Sequence, residues 1–210
     1  MRQQEITNII AAIIILAAIA SFSFVIKGEW RAIIQIFFFS IMIIFVSIFA
    51  KKSMAFMLDS DIEHEIWKVY RYGWKPGGHF NKPILAGIIF PLFFSVFSGG
   101  ILKIASILTY ESRVLKSRVA KRFGFYSYAE MTDWHNGIIG AAGIISILLL
   151  SIIAYLANAE LLARLSVYYA FSNLLPISNL DGSQIFFGSR IIYTILAVIT
   201  IILAAYALFL

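Results

Sequence analysis

The chain contains no cysteine, only four prolines and few charged residues. The absence of cysteine excludes disulfide bonds, thiolate metal sites and cysteine nucleophiles, although it says nothing about the compartment. Charged residues make up 13% of the chain and hydrophobic residues 61%, whereas soluble domains are about 45–50% apolar. This imbalance predicts a polytopic α-helical membrane protein, since a bilayer core requires about 20 apolar residues per helix.

The formal net charge is +6 at pH 7, and the basic residues cluster beside apolar segments. Basic residues in such positions set membrane topology or meet anionic headgroups, so no nucleic-acid partner is expected. The expected partner is the lipid bilayer, and the expected location is the cell membrane. We interpret the apolar run after Arg2 as a retained helix, because no small-residue cleavage site precedes a soluble domain.

Apolar runs predict five or six membrane spans. The clear ones cover residues 9–26, 33–50, 137–157 and 190–210, and a further apolar segment covers 161–176. The uncertain one, 84–97, is short for a span, so it is either part of one kinked span or re-entrant. A hairpin around Gly99-Gly100 would bring the basic segments 51–83 and 103–136 to one side of the membrane, as the positive-inside tendency favours.

The chain is predicted to form two units. Residues 1–83 would be a transmembrane hairpin followed by an interfacial amphipathic helix, and residues 84–210 would be the membrane core. The amphipathic helix is predicted over Asp59–Tyr72, because its apolar residues recur at helical spacing and its acidic residues precede its basic ones. If the apolar segment breaks at Gly99-Gly100 rather than forming one kinked span, another helix is predicted from about Ile101 to Arg122.

Asn173-Leu-Leu-Pro-Ile-Ser-Asn-Leu-Asp-Gly182 lies between two apolar runs near the C-terminus. An aspartate at the centre of a membrane costs roughly 2.5–3.5 kcal/mol, so Asp181 is expected to have a specific role. The Pro, Asn and Gly residues indicate a helix break that is lined by protein. Upstream lie Val119-Ala-Lys-Arg-Phe-Gly124 and an apolar helix that starts with Gly137-Ile-Ile-Gly-Ala-Ala-Gly143.

In this order the three stretches resemble the site-2 protease family of intramembrane zinc metalloproteases. The matching motif residues are Asn173, Pro176, Leu180, Asp181 and Gly182, and the resemblance covers about residues 101–190. It implies that the all-α fold contains a site-2-protease-like core over 84–210, with Asp181 in the position of a zinc ligand.

The family's HExxH motif is absent from this chain. Counted back from Gly124, its positions fall on Ser112-Arg-Val-Leu-Lys116, which supplies neither the two histidines nor the glutamate base. The resemblance therefore implies a member without proteolytic activity, with no cofactor expected, that binds a transmembrane helix or another membrane protein in the family's substrate groove.

Several roles for Asp181 remain open. Arg113 or Lys116 could form an ion pair with it in place of zinc, or its carboxylate could cap the helix that follows. Alternatively, Asp181 and His135, or His64, could be ligands of a relocated zinc site in an active metalloenzyme. In a transport or scaffold protein, Asp181 would be a pathway or structural carboxylate. His64, His79 and His135 share no i,i+4 spacing, and interfacial solvation is the expected environment for them.

Overall fold

A computed structural model describes residues 3–71, 78–101, 103–115 and 131–209. Within these ranges the chain is mostly helical and has two short antiparallel strand pairs. The helices are α1 (Gln3–Lys27), α2 (Trp30–Met57), α3 (Ala86–Phe97), α4 (Asp133–Leu156), α5 (Glu160–Asn173), α6 (Asp181–Gly188) and α7 (Arg190–Phe209). The strands are β1 (Ser60–Ile66), β2 (Val69–Arg71), β3 (His79–Ile84) and β4 (Leu108–Val114).

Four of the described helices are long and apolar enough to cross a membrane: α1, α2, α4 and the Arg190–Ala207 part of α7. They coincide with the four clear predicted spans, which are thereby confirmed as helices. The other two apolar segments form shorter helices, since α3 has 12 residues and α5 has 14. Large apolar side chains remain exposed on the outer faces of the long helices, among them Ile14, Phe45, Phe49 and Ile202. Lipid contact explains that exposure.

Helix α4 lies at the centre of the bundle. It packs against α2, α5 and α6. In its apolar 18-residue stretch 61% of the residues are buried, compared with 17–33% in the corresponding stretches of the other three long helices. The glycines of its first half face these neighbours: Gly137 lies against Gly188, and Gly143 lies against the side chain of Lys51. Small residues allow this close approach.

The amphipathic helix predicted over Asp59–Tyr72 is wrong within the described residues, because these form β1 and β2. Burial alternates along β1: Ile62, His64 and Ile66 point inwards, and the acidic residues between them are more exposed. The prediction took the spacing from Ile62 to Ile66 as a helical repeat, but it is also two steps of the two-residue repeat of a strand. β1 pairs with β4 from Ser60–Val114 to Ile66–Leu108, so the sheet joins segments on either side of residue 83.

The helix predicted from Ile101 to Arg122 is also wrong within the described residues, because Leu108–Val114 is a strand. Between α3 and β4 the chain turns at Gly99 and Gly100, which both have positive φ, and then returns without helical structure. Part of the predicted helix, including Lys116, lies outside the described residues.

Helix α3 and the chain that follows it form a hairpin whose two ends meet at Trp67. The Trp67 amide donates to the Ile107 carbonyl at 2.8 Å, and the Gly87 amide donates to the Trp67 carbonyl at 2.9 Å. At the tip, Gly100 lies against the backbone of Ser23 near the end of α1. The sheet lies at the other end of α1, where Glu5 contacts His64. This geometry favours the re-entrant alternative for residues 84–110.

Candidate functional site

The predicted helix break lies between α5 and α6. Asn173 ends α5, and its side-chain amide donates to the carbonyls of Tyr169 at 2.9 Å and Ala105 at 3.4 Å. Ser106 Oγ donates to the Ser172 carbonyl at 2.6 Å. The bonds that involve Ala105 and Ser106 link the end of α5 to the returning arm of the α3 hairpin. Backbone groups that a membrane would leave unpaired are thus satisfied by protein, as expected for irregular chain at membrane depth.

The other motif residues shape this break. Pro176 lies exposed in the turn after α5, where it cannot continue the helix. Leu180 is fully buried and packs with Trp67 and Ala86, which anchors the turn to the α3 hairpin. A Cβ atom at Gly182 would overlap the carbonyl oxygen of Leu174. A glycine at this position therefore lets α6 start against the end of α5 and places Asp181 in the bundle interior.

The partner of Asp181 is Lys51 of α2. Lys51 Nζ lies 2.6 Å from Asp181 Oδ2, and the two side chains are 2% and 1% exposed. Two buried charges of opposite sign neutralise each other, which offsets part of the cost of removing them from water. Asp181 Oδ1 accepts no hydrogen bond from the described residues. The helix-capping role is not observed, because no side chain caps the start of α6.

The two predicted ion-pair partners differ in their outcome. Arg113 lies on β4, is half exposed, and its Nη2 atom is 3.4 Å from Glu63 Oε2 on β1, so the structure does not bring it to Asp181. Lys116 lies outside the described residues. The sequence analysis missed Lys51 because the apolar run was ended at residue 50, whereas α2 continues to Met57. A lysine at the edge of an apolar run is expected at the membrane interface, so the sequence alone does not point to Lys51.

Tyr110 and Gly143 enclose the Lys51 side chain. A Cβ atom at Gly143 would overlap the aliphatic stem of Lys51, so the absence of a side chain there makes room for the lysine. Lys51 Nζ lies 5.1 Å from the centre of the Tyr110 ring, within cation–π range. Burial, and then the charge of Asp181, raise the pKa of Tyr110. Its hydroxyl stays protonated and donates to the Asn136 carbonyl at 2.6 Å.

One helical turn before Lys51, Ser47 faces the same interior. Ser47 is 2% exposed and hydrogen-bonds to the hydroxyl of Tyr169 on α5. Tyr169 is itself close enough to interact electrostatically with Asp181. Ser47 and Lys51 are spaced i and i+4, so they lie on one face of α2, and that face is directed at Asp181.

His135 is located in the first turn of α4, where its Nδ1 atom contacts the Thr132 hydroxyl. Its predicted role as a metal ligand with Asp181 remains a prediction. Within the described part of the chain, no group of three or more His, Cys, Asp or Glu residues is arranged to hold a metal ion. The side chain of His79 lies outside the description.

A second buried charge cluster, which the sequence analysis missed, involves Glu5. Its carboxylate lies 2.7 Å from Lys52 Nζ and 3.3 Å from His64 Nδ1. Burial, and then the charge of Lys51, lower the pKa of His64 to about 3, so its imidazole is neutral at pH 7. The side-chain amide of Asn8 donates to the His64 carbonyl at 3.3 Å. The cluster joins the start of α1 to β1 and to α2, so His64 is a buried structural residue rather than an interfacial one.

Comparison with known proteins finds no family model, no curated protein and no solved structure that matches this chain. The class of the protein therefore follows from its own fold and site. Four helices of sufficient length and apolarity, with charged side chains paired inside the bundle, indicate a membrane protein.

Proposed function

We propose that this chain is a catalytically inactive relative of the site-2 proteases, integral to the membrane, that binds a membrane partner instead of cleaving it. The observation that carries the proposal is the buried ion pair between Lys51 and Asp181. In the family that the 173–182 motif resembles, the aspartate of this motif is a zinc ligand. Here an ammonium group lies against that carboxylate and provides the compensating positive charge.

The position of Lys51 on α2 supports this interpretation. A zinc site of the HExxH type needs two histidines at i and i+4 on a helix that faces the aspartate, with a glutamate base at i+1. The helix face directed at Asp181 carries Ser47 and Lys51 at these positions, with Ile48 at i+1. A protonated lysine cannot bind a metal and isoleucine cannot accept a proton. The missing HExxH therefore corresponds to Ser47–Lys51 rather than to Ser112–Lys116.

The glycine-rich start of α4 gives independent support. Gly137, Gly140 and Gly143 were matched to the family by their order after the basic stretch, and they line the side of α4 that meets α6 and Lys51. Gly140 lies against the carbonyl of Asp181 and the hydroxyl of Tyr110. The basic stretch Val119–Gly124 itself lies outside the described residues.

Restoring the metal ligands tests the proposal. The variant Ser47→His, Ile48→Glu, Lys51→His should bind about one zinc ion per chain, measured by elemental analysis of the purified protein, and lose it when Asp181→Asn is added. The matched control places the same pattern on the lipid-facing side of α2, as Phe45→His, Val46→Glu, Phe49→His, and should bind no stoichiometric zinc. Phe45 and Phe49 are 66% and 65% exposed.

Two results would contradict the proposal. If the folded Ser47–Lys51 variant binds no zinc, Lys51 does not occupy the position of a former metal ligand. If the wild-type protein contains stoichiometric zinc that Asp181→Ala removes, the chain is an active metalloenzyme with relocated ligands.

The proposed surface for the partner is an open cavity of about 650 Å³ at the end of α2 beside the sheet. Its lining combines apolar side chains such as Phe56 and Met57 with polar ones such as Ser60 and Asp61. Phe56 and Met57 are each 78% exposed, so a partner helix can reach them. A photo-crosslinking residue at Phe56 should give a discrete protein adduct in native membranes, whereas one at Val198 on α7 should give lipid adducts only. The same pattern from both positions would contradict partner binding here.

A second candidate function is ion transport, because adjacent lysines of α2 each pair with a carboxylate: Lys51 with Asp181 and Lys52 with Glu5. Ionisable residues within membrane helices often mark ion pathways. Under this alternative, Asp181→Asn would leave the fold intact but abolish ion flux in liposomes that contain the wild-type protein. Absence of flux in the wild type would rule it out.

A further inference from the structure

A groove separate from the Asp181 site lies between the returning arm of the α3 hairpin, α5 and α7. It encloses about 530 Å³ and is lined mainly by apolar side chains, including Ile104, Phe171, Leu175 and Ile201. Lys103 is the charged residue in its lining. The volume is within the usual range of ligand sites, and the exposure of Phe171 and Ile201, 41% and 55%, shows that the groove is open towards lipid.

Lys103 lines this groove, and two further cations act on it electrostatically. The charges of Arg164 and Lys27 lie close enough to Lys103 to act on its ammonium group, and Lys103 Nζ is 5.6 Å from the centre of the Phe24 ring. No carboxylate of the described residues pairs with Lys103. The carboxylate of Glu160 is 3.7 Å from Arg164 and largely exposed. The three cations therefore outnumber the carboxylate beside them, and this excess positive charge favours an anionic headgroup.

The cations lie near a membrane face and the apolar groove extends from them into the bundle, which is the arrangement that a phospholipid requires. Lys27 ends α1, and Arg164 lies in the second turn of α5, so the cations are near the membrane face opposite the sheet. From Lys103 the groove extends towards Leu175, which follows the end of α5 near the middle of the bundle. A phospholipid in this leaflet would have its phosphate at the cations and one acyl chain along the apolar wall.

A second apolar groove lacks the unpaired positive charge that distinguishes the groove at Lys103. It encloses about 320 Å³ between α1 and α2 and is lined by residues such as Ile9, Ile13 and Ile44. The cation in its lining, Lys52, already pairs with Glu5 at 2.7 Å. That groove suits any acyl chain and has no charge left to select a headgroup.

We infer that the groove at Lys103 binds one anionic phospholipid, whose phosphate contacts Lys103 and whose acyl chain lies against Ile104, Phe171 and Leu175. The inference does not depend on kinship with the site-2 proteases. It depends on the net positive charge beside an apolar groove that is open to lipid.

Lipid titration of the purified full-length chain tests this inference. Dioleoylphosphatidylglycerol and dioleoylphosphatidylcholine would be added to the protein in neutral detergent, and bound lipid would be counted by native mass spectrometry. We expect one phosphatidylglycerol to bind more tightly than phosphatidylcholine. Lys103→Gln should weaken phosphatidylglycerol binding about fivefold or more and leave phosphatidylcholine unchanged. Lys103→Arg should retain the preference.

Two substitutions on α7 test the acyl-chain part. Ala204 lines the groove, so Ala204→Trp should fill it and remove the bound phosphatidylglycerol. Val198→Trp, at a position that is 51% exposed on the same helix, should change nothing and controls for the added indole. Size-exclusion chromatography confirms that each variant is folded.

Three results would overturn the inference. Equal affinity for the two lipids would show that the cations do not select the headgroup. Unchanged binding in Lys103→Gln or in Ala204→Trp would place the lipid elsewhere. A wild-type dimer that Ala204→Trp converts to a monomer would show that the groove is occupied by a second copy of the chain.

Discussion

Lys51 and Asp181 form a 2.6 Å ion pair in the interior of the bundle, although one belongs to α2 and the other begins α6, near the opposite end of the chain. Their nearest neighbours make the pair possible: Gly143 leaves space for the lysine stem, and Gly182 lets α6 start against α5. The pair thus links the N-terminal and C-terminal parts of the bundle through two charges that water does not reach.

Removing one charge of this pair should lower the free energy of unfolding more than removing both charges. Lys51→Met leaves the Asp181 carboxylate buried and unpaired, so we expect the free energy of unfolding to fall by about 3–5 kcal/mol. Lys51→Met with Asp181→Asn carries no buried charge and should recover most of that loss. Thermal unfolding in detergent measures both. Lys68→Met, which removes a partly exposed pair with Glu65, should change stability by less than about 1 kcal/mol. If the double variant is as unstable as Lys51→Met, the burial of an unpaired charge is not the cause.

Gly143→Ala tests the space for the lysine. The added Cβ would overlap the Lys51 stem, and overpacking of an interior typically costs about 1–3 kcal/mol. We expect a lower unfolding temperature and, because the ammonium is displaced from Asp181, a smaller effect of Asp181→Asn in this background. Ile145→Leu, at an exposed position of the same helix, should be neutral. Additive effects of Gly143→Ala and Asp181→Asn would argue against the displacement.

Stability should fall in acid through His64. Its pKa is about 3 in the folded protein because of burial and the neighbouring lysines, and about 6.5 in the unfolded chain. Between these values the unfolded chain binds the extra proton, so stability is lost as the pH falls from 6.5 towards 3, by at most about 1.4 kcal/mol per pH unit. His64→Gln should reduce the difference in unfolding temperature between pH 7.5 and pH 5. An unchanged difference would show that other groups carry the acid sensitivity.

The absence of cysteine makes the topology directly testable. Glu29 lies in the α1–α2 turn and Asn158 in the α4–α5 turn, both exposed, whereas Asp61 is exposed on β1. Contacts of the sheet with the starts of α1 and α4 imply that the two turns share one side of the membrane and the sheet lies on the other. Single-cysteine variants would be labelled with an impermeant maleimide in sealed vesicles. Glu29→Cys and Asn158→Cys should react from the same side of the membrane, and Asp61→Cys should react only from the other side. Labelling of all three from one side would contradict this arrangement.

Local sequence predicted the long helices well and the short segments poorly. Runs such as 9–26 and 137–157 are apolar over several turns, and only a helix satisfies their backbone groups in lipid. In 59–72 and 101–114 the pattern of apolar residues is short, and it fits both the helical repeat and the two-residue repeat of a strand. Pairing between β1 and β4 decided in favour of strands, and a partner 50 residues away, as in Ile62 opposite Ser112, is not visible in either segment.

The sequence by itself determined that this is a helical membrane protein and that Asp181 needs a partner, because apolar content and the cost of a buried carboxylate are local properties. Only the tertiary structure decided which partner it is. A charge in a low-dielectric interior pairs with the opposite charge that packing brings within contact, and the packing of α2 against α4 and α6 brings Lys51 to Asp181 while β4 turns Arg113 towards Glu63. The order of these residues along the chain does not show which cation pairs with Asp181.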